Sequence, residues 1–150
     1  MMGLTWSRRP FDALTLIELH DLMKLRVDVF VVEQACAYAE LDGQDRTALH
    51  LLGHNAAAEL VAYARILPPQ TDGLPHLGRI IVRASDRNKG IATTLMHYAL
   101  EALQDHHGST RSALAAQAHL EAFYALFGYV RNSENYDWDG IPHVDMVRMT

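Results

Sequence analysis

A strand-like run, a polar turn and a long amphipathic stretch follow one another near the middle of this chain and constrain its fold more than any other feature. Residues 77–82 are rich in β-branched side chains and are typical of a buried strand. From Gly90 onward apolar residues recur at helical spacing, and Gly108 is placed to end that helix. The predicted inner stripe of the helix comprises Ile91, Leu95, Ala99 and Leu103.

The rest of the sequence alternates between strand-like and helix-like segments. Strands are predicted over 4–7, 49–52, 59–67, 77–82 and 112–117, with a terminal hairpin over 129–138 and 143–148. Helices are predicted over about 14–31 and over 120–127, and the inner stripe of the first comprises Leu16, Leu19, Met23, Val27 and Phe30. Because no repeat or linker divides the chain, residues 1–150 are interpreted as one mixed α/β domain with several antiparallel neighbours.

The composition limits the classes of function. With 13 Lys and Arg against 18 Asp and Glu, the net charge of -5 provides no basic surface for nucleic acid and suits an amine substrate better. Charges interrupt every apolar run before the roughly 20 residues that a membrane-spanning helix needs. A single cysteine excludes an internal disulfide, and Arg8 and Arg9 stand where a signal peptide would be apolar. We therefore expect a cytoplasmic protein that binds neither nucleic acid nor membrane.

The turn between the predicted strand and helix has the chemistry of an anion site. The first N–H groups of a helix have no partner within it and lie at the positive end of its dipole, where a pyrophosphate can bind. Gly90 and Ala92 add almost no bulk, while Arg87 and Lys89 add positive charge. The alternative interpretation is that residues 87–90 form an ordinary solvent-exposed connection between the strand and the helix, with no bound anion. Neither G-x-x-x-x-G-K-[ST] nor G-x-G-x-x-G is present, which argues against nucleotide hydrolysis and dinucleotide binding.

Arg87-x-x-Gly90-x-Ala92, directly after a β-branched strand, resembles the acetyl-CoA signature of the GNAT superfamily of N-acyltransferases. Four more segments resemble the ElaA-like branch of that superfamily, namely VFVVEQ (29–34), ELDG (40–43), AQAHLEAFYALFGY (116–129) and DGIPHVDM (139–146). The resemblance implies a mixed, mostly antiparallel sheet with flanking helices. It also implies that this sheet splays open between its fourth and fifth strands and holds acetyl-CoA in the gap.

The resemblance further implies the cofactor contacts. The backbone of Ile80 and Val82 is expected to hydrogen-bond the pantetheine arm of acetyl-CoA, and the N–H of Val82 is the first choice for stabilising the oxyanion. The pyrophosphate is expected in the turn formed by Arg87, Asn88, Lys89, Gly90, Ile91, Ala92 and Thr93.

Attack of an amine on a thioester needs an acid for the departing thiolate. By resemblance, Tyr124 is the candidate for this acid. The alternative is that Tyr124 is a core aromatic, because it shares a stripe at i, i+3, i+4 and i+7 with Leu120, Phe123 and Phe127.

The amine must also lose a proton, and Glu33 is the candidate acceptor because it enters the loop that, by resemblance, borders the acceptor side. The alternative is that Glu33 pairs with Arg65 or Arg79 in a structural network. These two arginines lie on neighbouring predicted strands and are equally suited to receive a substrate carboxylate.

Other polar residues have weaker assignments. Cys36 is expected to line the acceptor pocket or simply to be buried. His119, two residues after Gln117, is suited to contact substrate or relay a proton, and its alternative is a capping group at a helix start. His50 and His54 have the spacing of a metal pair only on a helix, and their segment is strand-like, so no metal site is expected.

Three functions compete on these observations. The favoured hypothesis is transfer of acetyl from acetyl-CoA to a primary amine by direct attack in a ternary complex. The second is an acetyl-CoA sensor or interaction module without turnover, and the third, disfavoured by the missing phosphate-loop motifs, is a general nucleotide-binding protein. A polyamine, an amino acid derivative and a protein lysine all fit as acceptor, and a homodimer is left open.

Overall fold

The computed structural model describes residues 3–36 and 40–150. The strands are β1 (Thr5–Pro10), β2 (Leu49–His54), β3 (Leu60–Leu67), β4 (His76–Val82), β5 (Ser112–Gln117), β6 (Val130–Arg131), β7 (Tyr136–Trp138) and β8 (Ile141–Arg148). The α-helices are α1 (Leu16–Arg26), α2 (Ile91–His107) and α3 (Glu121–Ala125). Short 3₁₀ turns cover Phe11–Ala13, Ala84–Asp86 and Ala118–Leu120, and Val27–Glu33 continues α1 as a π-helix.

The strands form one mixed sheet in the order β1-β2-β3-β4-β5-β8-β6, with β7 paired to β8. Every pair is antiparallel except β4 with β5, and these two strands pair at one position only, His76 opposite Ala113. The N–H of Ala113 also donates to the carbonyl of Pro75 at 3.0 Å, so the contact lies at the beginning of both strands. Beyond it β4 and β5 diverge, which confirms the mostly antiparallel sheet splayed at its fourth and fifth strands.

The central helix is confirmed in its position and in its buried face. It begins after Gly90 and ends before Gly108, both with positive φ. The residues that face the sheet are Ile91, Leu95, Met96, Ala99, Ala102 and Leu103, which include the whole predicted stripe. The stripe packs on β3 and β4 and thereby fixes the turn at the end of β4 against the sheet.

The first helix differs from its prediction. Its buried residues are Leu22, Leu25 and Arg26, followed by Val29 in the π-helix, whereas Leu16 is 86% and Val27 36% exposed. The predicted stripe was only partly right: Met23 and Phe30 pack against the core, whereas Leu16 and Val27 are exposed. Apolar residues surround this helix on all sides, so their periodicity does not select one face. The conversion to a π-helix after Arg26 was not predicted either. π-Helical segments are rare in proteins, and those that occur are often found at functional sites.

The C-terminal region also differs in detail. Residues 129–138, predicted as one strand, are divided into β6 and β7, which both pair with β8. Asp139 and Gly140 form the turn between β7 and β8, both with positive φ. Within residues 3–36 and 40–150, none of the helices has the length and apolar character needed to cross a bilayer.

Candidate functional site

The free edge of β4 faces the gap between β4 and β5. Ala62 lies opposite Val82 and Tyr63 opposite Ile81, and the N–H of Arg83 donates to β3 at the carbonyl of Val61, 2.8 Å away. Because the N–H groups of an antiparallel strand point alternately to either side, those of Val82 and Ile80 point away from β3. The two backbone groups expected to contact the cofactor therefore lie on the edge that borders the gap.

Two cavities meet in this gap. The turn cavity, of about 560 Å³, lies against the turn between β4 and α2. The loop cavity, of about 770 Å³, lies against the loop after the π-helix, the start of β4 and the β7–β8 hairpin. The residues that line both cavities are Phe30, Gln34, Ile80, Gln117, Leu120 and Tyr124. A molecule bound in one cavity can thus contact a molecule bound in the other.

The turn cavity is built around the beginning of α2. Gly90 has φ +77, and a Cβ placed on it would meet no heavy atom within 4 Å, so the space above it is open. Asn88 also has a positive φ, of 64°. The predicted cofactor residues that line this cavity are Ile80, Val82, Arg87, Asn88, Gly90, Ile91, Ala92 and Thr93. Lys89 lies outside this wall, and its ammonium pairs with Asp86 at 3.7 Å.

Glu33 and Arg87 form an ion pair at the rim of the turn cavity. The two guanidinium Nη atoms of Arg87 donate to the two carboxylate oxygens of Glu33 at 2.6 and 3.0 Å, and its Nε donates to the carbonyl of Val82 at 3.0 Å. The alternative pairing of Glu33 with Arg65 or Arg79 is therefore wrong. The π-helix ends beside the β4–α2 turn, and so brings Glu33 to Arg87 instead.

Tyr124 lies in the core and also at the junction of the two cavities. It is 6% exposed and belongs to the core under α2, with an edge-to-face contact to Phe123 at 5.2 Å between ring centroids. It also lines both cavities at their junction. Burial, with a smaller effect of Tyr129, raises the pKa of its hydroxyl above the ordinary tyrosine value, so Tyr124 is protonated at neutral pH. Its use as an acid stays a prediction.

The strand, the glycine-containing turn and the helix beside the splayed sheet edge are accompanied by direct likeness to known proteins. Residues 18–149 match the family model described as an acetyltransferase (GNAT) domain. The chain belongs to the GNAT acetyltransferase family. Protein ElaA of Escherichia coli is 42% identical over 146 residues, which cover 95% of each chain, so the ElaA-like resemblance is confirmed.

Solved structures agree with this assignment. The crystal structure of an acyl-CoA N-acyltransferase from Pseudomonas aeruginosa superimposes with a TM-score of 0.93 at 39% identity and covers 98% of this chain and 100% of that one. Escherichia coli ElaA superimposes with a TM-score of 0.90 at 40% identity over 97% and 99% of the two chains. The GNAT fold is thus shared over nearly the whole length.

Behind the wall of the loop cavity lies an ionic network that sequence reasoning missed, and Asp42, Arg65 and Arg79 are its members that line the cavity. Three guanidinium groups, of Arg26, Arg65 and Arg79, pair with three carboxylates, of Glu40, Asp42 and Asp45. Arg26 is fully buried and donates to Glu40 at 2.6 Å and to Asp45 at 2.7 Å. The acidic spacing within residues 40–45 was visible in the sequence, but its basic partners lie on three separate elements.

Electrostatics within this network favour the charged carboxylates. Burial by itself raises the pKa of Asp42, but hydrogen bonds from Arg65 and from the N–H of Gln44 outweigh burial and hold the pKa well below its usual range. For Asp45, burial is outweighed in the same way by Arg26 and Arg65. Asp42 and Asp45 therefore remain ionised at neutral pH.

The predicted substrate residues are divided between the two cavities. Cys36, Arg65 and Arg79 line the loop cavity, and the Cys36 thiol donates to the carbonyl of Asp139 at 3.2 Å. Both terminal nitrogens of Arg65 donate to Asp42, so a protein carboxylate occupies the guanidinium edge that a substrate carboxylate would need. His119 and Glu33 lie instead on the turn cavity.

Further residues of the loop cavity had no assignment from the sequence. They include Gln34, Asp42, Gln44, His76, Trp138 and His143. His50 and His54 both lie on β2, which extends two residues beyond the predicted strand over 49–52, and the ring nitrogens of His50 contact the hydroxyl of Tyr63 and the carbonyl of Asp45. Across residues 3–36 and 40–150, no cluster of three His, Cys, Asp or Glu side chains could hold a metal ion.

Proposed function

We propose that the chain is a single-domain, cytoplasmic N-acetyltransferase that transfers the acetyl group of acetyl-CoA to a primary amine by direct attack in a ternary complex. The observation that carries this proposal is the meeting of the turn cavity and the loop cavity in the β4–β5 gap, at Ile80 and Tyr124. Acetyl-CoA enters from the turn side and the amine, of a small molecule or a protein lysine, from the loop side.

The cofactor is held mainly by backbone groups. The N–H groups of Ile91, Ala92 and Thr93 precede the first internal bond of α2, from the N–H of Thr94 to the carbonyl of Gly90, so they are available to a pyrophosphate. The pantetheine arm runs along the free edge of β4. Arrival of the pyrophosphate competes with Glu33 for Arg87, because one guanidinium cannot direct the same N–H groups at both anions.

The acyl transfer then requires few side chains. The neutral amine nitrogen attacks the thioester carbon, and the N–H of Val82 stabilises the resulting oxyanion. The oxyanion then collapses to the amide carbonyl as the C–S bond breaks; the amine nitrogen loses its proton to Glu33 or to water, and the departing thiolate receives a proton from Tyr124. The balanced charges of the loop cavity suit an acceptor that brings no carboxylate of its own.

Acetyl-CoA is expected to stabilise the protein against heat. At a concentration a hundredfold above its dissociation constant, linkage predicts about 2.7 kcal/mol, which is on the order of 5 to 10 °C in melting temperature at this chain length. Thermal unfolding with and without acetyl-CoA, together with calorimetric titration, measures this effect. Equal stabilisation by sulfate, without calorimetric binding of acetyl-CoA, would contradict the cofactor assignment.

Two variants at one position locate the pyrophosphate. Gly90 has φ +77, so any side chain there is strained, and Gly90→Ala measures that strain alone. Gly90→Glu adds bulk and negative charge and should bind acetyl-CoA at least about tenfold more weakly than Gly90→Ala. Equal affinity of the two variants would place the phosphates elsewhere.

Release of free thiol with a panel of amines then distinguishes a transferase from a sensor.

Glu33→Gln is expected to lower turnover at neutral pH by at least about tenfold without weakening acetyl-CoA binding, since it also releases Arg87. The loss should shrink as pH rises, because more amine is already neutral. Glu121→Gln, which alters another partly exposed pair, with Arg131, is the matched control and should keep its activity. A fall in melting temperature parallel to the loss of activity, without rescue at high pH, would show that the Glu33–Arg87 pair is structural.

A further inference from the structure

Strand β4 carries one residue more than β3 in the middle of their pairing. Tyr63 lies opposite Ile81 and Arg65 opposite Gly78, so a step of two residues on β3 corresponds to a step of three on β4. The extra residue is accommodated at Arg79, which has φ +52. A residue with a Cβ adopts this left-handed conformation only when its surroundings enforce it.

The side chain of Arg79 is held from outside the sheet. Its Nε donates to Oε2 of Glu40 at 2.8 Å, and the same oxygen accepts a bond from Nε of Arg26 at 2.6 Å. The Glu40 side chain is 3% exposed and Arg26, on α1, is fully buried. Nη2 of Arg79 also lies 3.4 Å from Asp42. One buried carboxylate thus connects the bulge of β4 to the first helix.

The bulge decides which backbone groups face the gap. The N–H groups of a strand alternate in direction, so loss of the extra residue would reverse the side on which those beyond it lie. Ile80 follows Arg79 directly and Val82 comes two residues later, and these are the residues whose N–H groups point away from β3 into the gap. The orientation of the oxyanion and pantetheine contacts therefore depends on the conformation of Arg79.

We propose that Glu40 and Arg79 are positioning residues, whose ion pair holds the left-handed bulge of β4 and through it directs the N–H groups of Ile80 and Val82 at the bound acyl donor. This inference rests on the proposed acyl transfer. It assigns Arg79 a conformational task, whereas a role as a substrate ligand would depend only on its charge.

A pair of variants separates the two roles. Arg79→Ala and Arg79→Gly both delete the ion pair, but glycine adopts positive φ freely whereas alanine is disfavoured there by about tenfold. Turnover of Arg79→Ala is expected to fall by about tenfold or more with KM for acetyl-CoA little changed, and that of Arg79→Gly to stay within about threefold of the unaltered protein. Backbone NMR couplings at residue 79 report φ directly and should show it positive in the Gly variant and lost in the Ala variant.

Arg131→Ala, which removes the distant pair with Glu121, is the matched control and should leave both readouts unchanged. Equal turnover of the Ala and Gly variants, or a positive φ kept in an inactive Ala variant, would overturn the proposal. If Arg79→Ala does not fold, Arg79→Gly alone decides: it must fold, keep a positive φ and retain its turnover. Absence of thiol release from the unaltered protein would instead refute the proposed function. The NMR couplings would still test whether the Glu40–Arg79 ion pair holds the bulge of β4.

Discussion

Replacing Tyr124 with phenylalanine is expected to lower turnover about a hundredfold while acetyl-CoA affinity and melting temperature change little. The variant keeps the ring that packs under α2 and removes only the hydroxyl at the junction of the two cavities. General acid catalysis typically contributes 10²–10⁴-fold, whereas a buried hydroxyl contributes only about 1 kcal/mol to folding. Steady-state kinetics with the best amine, beside thermal unfolding, measure both quantities.

The raised pKa of Tyr124 shapes this expectation. A CoA thiol has an acidity near that of cysteine, about 8.5, and a free tyrosine has a pKa near 10, so proton transfer to the thiolate is uphill even before burial weakens the acid further. The same exclusion of water raises the basicity of the departing thiolate, since burial disfavours either anion. The two effects oppose each other, and Tyr124 stays protonated over the whole neutral range.

Tyr129→Phe is the matched control. Tyr129 is also a buried tyrosine, but its hydroxyl bonds Oγ of Ser112 at 2.6 Å and it lines neither the turn cavity nor the loop cavity. We expect this variant to lose about 1 kcal/mol of stability and to keep its turnover. If Tyr124→Phe retains most of its turnover when chemistry limits the rate, Tyr124 is a core aromatic only and the proton comes from another group.

Replacing Arg26 with methionine is expected to destabilise the fold by about 3 to 5 kcal/mol, or roughly 6 to 20 °C in melting temperature. The side chain is fully buried, and its loss leaves Glu40 and Asp45 with too little positive charge to offset their burial. Arg8→Met is the control, because Arg8 pairs with Glu101 and Asp105 at the surface, where such pairs contribute at most about 1 kcal/mol. Urea unfolding of both variants measures the difference.

The destabilisation by Arg26→Met should depend on pH. Asp42 and Asp45 have folded-state pKa values below the unfolded value of about 3.9, so their contribution to stability is present above that pH and is lost as pH falls toward the folded values. Without Arg26 the pKa of Asp45 is less depressed and less stability remains to be lost. The difference in free energy of unfolding between the unaltered protein and the variant should therefore become smaller from about pH 7 to about pH 3. A difference in free energy of unfolding that stays constant with pH would show that lost packing, not charge, explains the effect.

The parts of the molecule that were predicted well are those specified by neighbouring residues. The path from β4 through the turn into α2 was found because a β-branched run, a glycine with positive φ and a single apolar stripe agree over a short stretch of sequence. The buried face of α1 was predicted only in part, because Leu16 is apolar yet exposed while Arg26 is charged yet buried. No local rule places an arginine in a core whose compensating carboxylates lie in a later loop.

Neighbouring residues specify the strand, the turn at Gly90 and the helix of this GNAT domain, because hydrophobic periodicity and the backbone freedom of Gly90 act over a short stretch of chain. The pairing of Glu33 with Arg87 and of Glu40 with Arg79, whose φ is positive, arises only in the folded chain. The first pair is separated by 54 positions in the sequence and the second by 39. Their partners are chosen by the way a π-helix and a sheet bring charges together, and the free energy of such pairs depends on burial that exists only once the chain is folded.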